Sequence, residues 1–433
     1  MTAPLNNVFD NPLRRGICPG LSRPLPTGDG LLVRLLPIGT IALDAFAALC
    51  AAARAHGNGI IEVTARGSIQ VRGLSADSGP RFADAISALE IAEDGVPILC
   101  NPLAGLDPAE TVDAAALAAV LRPVVAQQAY PGRLDPKVSI VIDGGGALNL
   151  ARVHADIRLR AQLFDGVLRL SVGGDDATAF DLGAIATDDA AEAVSRLLLI
   201  LAERSARARD IIVSEEAGCL VDALPLARRV PKGNDASSVL RRSCDPIGLH
   251  ALRDGRLAAG IGLAFGHADA TALEQLLDAA AAAGARGLRA SPSRSLLAIG
   301  LTSESAARFF AAAAQLGFVT RADDPRRHVI ACAGAPLCAS AHIAARTVAP
   351  RIAAAAASYL SEGVTIHLSG CAKGCAHPGA ASLTVIGAPG RCGLVANGTA
   401  HDAPFASATL HELPAAIAAH LRERHAATEG NHV

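Results

Sequence analysis

The chain is written twice, and that constrains its fold more than any local pattern does. Gly30–Gly73 reads GLLVRLLPIGTIALDAFAALCAAARAHGNGIIEVTARGSIQVRG, and Gly255–Gly300 reads GRLAAGIGLAFGHADATALEQLLDAAAAAGARGLRASPSRSLLAIG. Each stretch has a strand-like start, a turn, an alanine-rich amphipathic helix, and a second strand-like segment closing on glycine. Counted back from that glycine, Arg66 and Arg294 fall within one residue of the same place. The parallel continues with Ile98-Leu99-Cys100 against Ile330-Ala331-Cys332. Both are followed by a Pro/Gly loop and an alanine-rich helix, Val112–Gln128 and Ala341–Ser358. Alternating strands ending at glycine come next, Val138–Gly144 and Val364–Gly370. Each half finishes with a strand pair and a helix, near Ala191–Ser205 and Leu410–Arg424. The polar stretch Arg228–Asp245 reads as the join.

The expected fold is therefore α+β, built of α/β units in the order A, B, A′, B′. The expected bounds are 16–78, 79–235, 245–320 and 321–425. The copies differ at one place. After the strand, the first has Gly144-Gly145-Gly146, and the second has Gly370-Cys371-Ala372-Lys373-Gly374-Cys375. The chemistry is expected in the second copy.

Cys332 and Cys338 form a C-x5-C pair, and Cys371 and Cys375 a C-x3-C pair. Residues 339–370 between them suffice for one helix and one strand, so two loops at element ends can converge. Four thiolates satisfy a [4Fe–4S] cube, and the flanking glycines and alanines let backbone amides approach its sulfides. Four-cysteine zinc is the nearest alternative, but zinc pairs are usually about 2–4 residues apart. The other cysteines, Cys18, Cys50, Cys100, Cys219, Cys244 and Cys392, are scattered and read as small buried hydrophobes.

Composition removes other classes. The formal net charge is −2, there is no Trp, and there are 2 Tyr, so neither a basic footprint nor a base-stacking platform for nucleic acid is present. No apolar run reaches the ~18–20 residues of a membrane span without a charge or turn. The polar N-terminus lacks the apolar centre of a signal peptide, and the expected location is cytoplasmic.

The cysteine pattern on a duplicated α/β chain resembles the sirohaem sulfite and nitrite reductases. The segment Thr64-Ala65-Arg66-Gly67-Ser68-Ile69-Gln70-Val71-Arg72-Gly73 is similar to that family's T-x-R…Q strand. Within that superfamily the chain resembles the precorrin-3B synthases, in Arg15-Gly16-Ile17-Cys18-Pro19-Gly20, in Thr27-Gly28-Asp29-Gly30-Leu31-Leu32-Val33-Arg34, and in Gly57-Asn58-Gly59. The resemblance spans approximately residues 16–425. It implies ferredoxin-like half-domains and a monooxygenase of aerobic cobalamin biosynthesis. Such an enzyme hydroxylates precorrin-3A with dioxygen and closes a lactone to give precorrin-3B. It also implies a [4Fe–4S] cluster, a mononuclear non-haem iron, and an external electron donor, NAD(P)H directly or through a reductase.

The reductase reading, with sirohaem, is the alternative. It implies two arginines and a Lys-x-Lys around a small anion. Arg66 and Lys137 match one of each, while Ser139 occupies the second lysine position and Val96–Leu99 offers no arginine. Two missing cations weaken anion binding and reduction. A carboxylate-rimmed tetrapyrrole suits arginine forks instead. If Thr64–Arg72 is extended, Thr64, Arg66, Ser68, Gln70 and Arg72 share one polar face. Arg66, Gln70, Arg72, Lys137 and Arg294 are the candidates for gripping substrate carboxylates. No catalytic residue is assigned. His154 and Asp156 are iron-ligand candidates by type alone, and His367 and His377 sit near the cluster loops. The glycine-rich Gly260–Gly266 lacks the acid a dinucleotide fingerprint needs, and is set aside.

Overall fold

The computed structural model describes residues 19–93, 95–127, 133–162, 166–213, 220 and 244–429. Cys18, Cys219, the Arg15–Cys18 opening and most of the Arg228–Asp245 join lie outside the described residues.

The first piece runs β1 (Leu25–Thr27), β2 (Gly30–Pro37), α1 (Leu43–His56), β3 (Ile60–Val63), β4 (Ile69–Leu74), α2 (Ser78–Ser87) and β5 (Ala92–Glu93). The second runs β6 (Ile98–Cys100), α3 (Ala114–Gln127), β7 (Ile140–Asp143), β8 (Ala155–Ala161), β9 (Val167–Gly174), β10 (Phe180–Ala186), α4 (Ala190–Arg204) and α5 (Ala208–Val213). The third runs β11 (Gly248–Ala251), β12 (Leu257–Gly262), β13 (His267–Asp269), α6 (Ala270–Ala282), β14 (Gly287–Ser291), β15 (Ser295–Leu301) and α7 (Ser303–Gln315). The fourth runs β16 (Val329–Ala331), α8 (Ala345–Ala356), β17 (Ile366–Ser369), β18 (Ala381–Ala388), β19 (Arg391–Gly398), β20 (Ala406–Ala408) and α9 (Leu413–Glu429).

The duplication is visible in the sheets. In the second piece β6, β7 and β8 are parallel and β9 and β10 antiparallel, and in the fourth β16, β17 and β18 are parallel and β19 and β20 antiparallel. Pairing sets Ile98 opposite Ile140 and Val329 opposite Ile366. Matching Ile140 with Ile366 therefore makes Asn101 the counterpart of Cys332. The Cys100–Cys332 match from sequence is one residue out, because strand register follows hydrogen bonding rather than residue likeness.

The half-domains of the first and third pieces clasp each other. β13 leaves its own sheet to pair with β3, and Ile41, just before α1, bridges to Leu288 on β14. Phe46 and Leu49 of α1 meet Leu273 and Leu276 of α6 in one shared core. The spacing of these residues puts them on one helix face. Full burial of each such side chain is worth roughly 1.5–3 kcal/mol. Phe82 and Ile86 of α2 join that core, and β5 pairs with β2. The first sheet and core thus run on past residue 78. The second and fourth pieces each carry a core of their own.

Gly260 sits within β12, where a Cβ would collide with the Pro246 carbonyl. Here the glycine serves close backbone packing. Among the described residues no helix is long and apolar enough to cross a membrane.

Candidate metal centre and active site

β16 and β17 are parallel neighbours, so the loops that leave them emerge at the same sheet edge. One carries Cys332 and Cys338, the other Cys371 and Cys375. The Gly370 amide donates to Cys332 Sγ at 3.0 Å, and the His342 amide donates to the Gly370 carbonyl at 2.8 Å. Cys332 feels the charges of Cys375 and Cys338, and Cys375 those of Cys371 and Cys338, so the four thiols share one neighbourhood. Burial pushes the Cys332 thiol up, although amides of Gly370 and Gly334 oppose it. Burial likewise raises Cys375, with Cys371 adding to the effect. A cation bound at Cys332 and Cys375 would favour their thiolate forms. Gly28 in the β1–β2 turn closes the other side. A Cβ there would run into Cys338 Sγ, and the Ala339 amide donates to the Gly28 carbonyl at 2.8 Å.

This donor set fits an iron–sulfur cluster: four thiols on two loops, with backbone N–H groups aimed at sulfur. No three His, Cys, Asp or Glu among the described residues converge on a single metal ion. His154 and Asp156 are parted. His154 lies 3.7 Å from Asp175, while buried Asp156 takes two 2.7 Å bonds from Arg207 and one of 3.0 Å from the Ser139 amide.

A polar row crosses the first sheet beside the cysteines. Strand register lines up Arg34, Gln70, Glu62 and His267 on β2, β4, β3 and β13. With its amide turned to suit both neighbours, Gln70 donates to Glu62 at 3.0 Å and accepts from Arg34 at 2.7 Å. Arg72 makes two 2.8 Å bonds to Asp29 and stands 3.7 Å from Glu62. Burial works against the Arg72 charge, but the Asp29 bonds and Glu62 outweigh it and push its pKa up. Arg346, in the first turn of α8, pairs with Glu62 from the other side. Burial pulls the Arg346 and Arg294 guanidinium groups down, and Glu62 opposes it in both.

Thr64–Arg72 is not one extended strand. The Thr64 amide donates to the Ser68 carbonyl at 2.9 Å, and Gly67, at φ 82°, turns the chain there. Only Ser68, Gln70 and Arg72 share the strand face, and Arg66 rides the turn. The matching turn in the second copy joins Ser291 to Ser295 and puts Arg294 where Gly67 stands, at φ 61°. A left-handed arginine costs about 1–2 kcal/mol. It lays the Arg294 side chain over Gly266, whose Cβ would come 2.7 Å from Arg294 Cδ. His367 lies near by, 5.7 Å from His377 between ring centres. It is fully buried, and neither ring nitrogen has a hydrogen-bond partner among the described residues. Burial, then His377 and Arg294, push its imidazole down to about 4.

A cavity of about 300 Å³ opens where the first, second and third pieces meet, lined by Arg66, Ser68, Cys100, Asn101, Arg122 and Arg289 among others. Arg66 donates to Ser139 Oγ at 3.3 Å. Arg289 braces the wall, donating to Thr40 at 2.6 Å and to the Ala104 carbonyl at 2.9 Å.

The structure thus divides the sequence candidates. Gln70, Arg72 and Arg294 gather on the cysteine side, Arg66 lines the cavity, and exposed Lys137 joins neither group. Sequence reasoning missed Arg346 and Glu62, which are 284 residues apart and show no local motif.

Two half-domains clasped beside a pair of cysteine-bearing loops place the chain among oxidoreductases of the nitrite/sulfite reductase-like fold. Residues 23–89 match the nitrite/sulfite reductase ferredoxin-like half domain. The solved structure of the Mycobacterium tuberculosis NirA protein superposes with a TM-score of 0.69, covering 90% of this chain and 79% of that one at 18% identity. A precorrin-3B synthase of Sinorhizobium sp is 41% identical over 413 residues, 94% of this chain and 88% of the relative. The chain belongs to the precorrin-3B synthase family.

Proposed function

We propose that the protein is an iron–sulfur monooxygenase of aerobic cobalamin biosynthesis that hydroxylates precorrin-3A and forms the lactone of precorrin-3B. The observation that carries this reading is the placement of Cys332, Cys338, Cys371 and Cys375 on adjacent loops beside a buried arginine group, in a chain 41% identical to a precorrin-3B synthase. When bound, the cluster supplies electrons one at a time. The overall reaction places one oxygen atom of O2 on the substrate carbon. The other leaves as water, with two electrons and two protons drawn from an external donor.

The protein's own residues bind and orient. Arg66, in the cavity, and Arg294, beside the cysteine loops, are suited to carboxylate arms at two edges of a wide macrocycle. Arg72 and Gln70, engaged with Asp29, Glu62 and Arg34, hold the wall between those places. Ser139 beside Arg66 speaks against the sirohaem reductase alternative, because it stands where a second lysine is needed.

The test is anaerobic purification followed by iron, sulfide and pigment analysis, then incubation with precorrin-3A with and without O2. A cluster without sirohaem and oxygen-dependent conversion are expected. Stoichiometric sirohaem, or turnover of sulfite or nitrite, overturns the reading.

A further inference from the structure

We infer that Arg346 is a positioning residue for redox chemistry: its buried, under-compensated charge holds up the reduction potential of the cluster on the four cysteines. The inference rests on the reading of those cysteines as a cluster site.

Arg346 reaches this place because α8 starts directly after the Cys332–Cys338 loop. A Cβ on Gly334, inside that loop, would strike the Ala345 amide, so loop and helix start are in contact. The Arg346 side chain is 10% exposed. One terminal nitrogen pairs with Glu62, while Nε and Nη1 have no hydrogen-bond partner among the described residues.

Local charge supports this. Arg72, Arg346 and Arg294 stand with two carboxylates, Asp29 and Glu62. Asp29 is taken up by Arg72, and Glu62 is shared between Arg72, Arg346 and the Gln70 amide. Among these side chains guanidinium groups outnumber carboxylates, and Arg34, on the Gln70 amide, and Lys373, between Cys371 and Cys375, add further positive charge. The group lies beside the cysteines because the start of α8 touches the Cys332–Cys338 loop. A cluster held by four thiolates is anionic and becomes more so on taking an electron. Net charge and hydrogen bonding at sulfur set its potential. A fixed neighbouring cation favours the reduced form, and arginine keeps its charge when buried.

The experiment is a redox titration of the full-length, cluster-loaded protein followed by electron paramagnetic resonance, with iron and sulfide measured on each sample. Arg346→Gln is expected to shift the midpoint potential downward at unchanged cluster content, and Arg346→Lys to stay near the wild type. Glu62→Gln, which removes an anion from the same place, is expected to shift it upward. A purely structural role does not give opposite signs. A full cluster with unmoved potential in Arg346→Gln overturns the inference. If that variant fails to assemble its cluster, an unmoved potential in loaded Glu62→Gln overturns it instead. Absence of iron and sulfide from the wild type refutes the cluster reading itself, a different failure.

Discussion

The second and fourth pieces share strand order and loop placement but differ in what closes the loops. The Gly370 amide donates to Cys332 Sγ at 3.0 Å, and in the other copy the Gly144 amide donates to Asn101 Oδ1 at 3.1 Å. By the same register Asp107 stands where Cys338 does, and Glu110 where Ala341 does. Asp107 accepts from the Ala109 and Ala147 amides at 2.8 and 2.6 Å, and Glu110 from Gly105 and Ala114. A Cβ on Gly146 would run into the Asp107 carboxylate. Even the facing turns correspond: Gly28 backs Cys338, and Arg253 donates to the Asp107 and Glu110 carbonyls at 2.9 and 3.1 Å. One loop pair is completed by hydrogen bonds, and the other presents the four thiols on which we propose the cluster.

The sharpest way to break this comparison is Cys332→Ser. It should abolish the cluster, read as loss of iron, sulfide and visible absorption. Hydrogen exchange should show loosening in 329–400 but not in 98–174, because metal binding and folding are coupled only where a metal is held. A surviving cluster would refute the ligand assignment.

Asp107→Ala should do the reverse. It strands two amides and should cost about 1–3 kcal/mol in denaturant unfolding, with cluster content unchanged.

Acid should separate the copies more gently. Burial holds His367 at about 4, and burial with Arg346 holds His267 at about 3, both below the ordinary value near 6.5. Both imidazoles are neutral in the fold, while the unfolded chain takes up protons as pH drops. Their neutrality costs nothing above about 6.5. Stability is lost below it, at up to about 1.4 kcal/mol per pH unit for each histidine. The second piece has only exposed His154 among its described residues, so exchange protection at pH 5 should fall first around β13 and β17.

The smallest effect is expected from Lys137→Ala. Lys137 is exposed, with its amide bonded to Asp135 at 2.8 Å, and substrate turnover should be unchanged. A marked rise in KM would return it to the binding site.

The sequence by itself determined the duplication, the α/β order, and the second copy as the seat of the cysteines. Those properties reside in spacing and periodicity, which survive in one dimension. It also carried the Ser139 substitution beside Arg66. Only the tertiary structure decided the rest. The swap of β13 onto β3 depends on how two half-domains meet. The direction of Arg294 depends on a left-handed backbone that no residue type announces. Arg346 reaches Glu62 across 284 residues because α8 and the first sheet are packed together around the cysteine loops. Buried charge is settled by three-dimensional neighbours, and a chain read along its length does not list them.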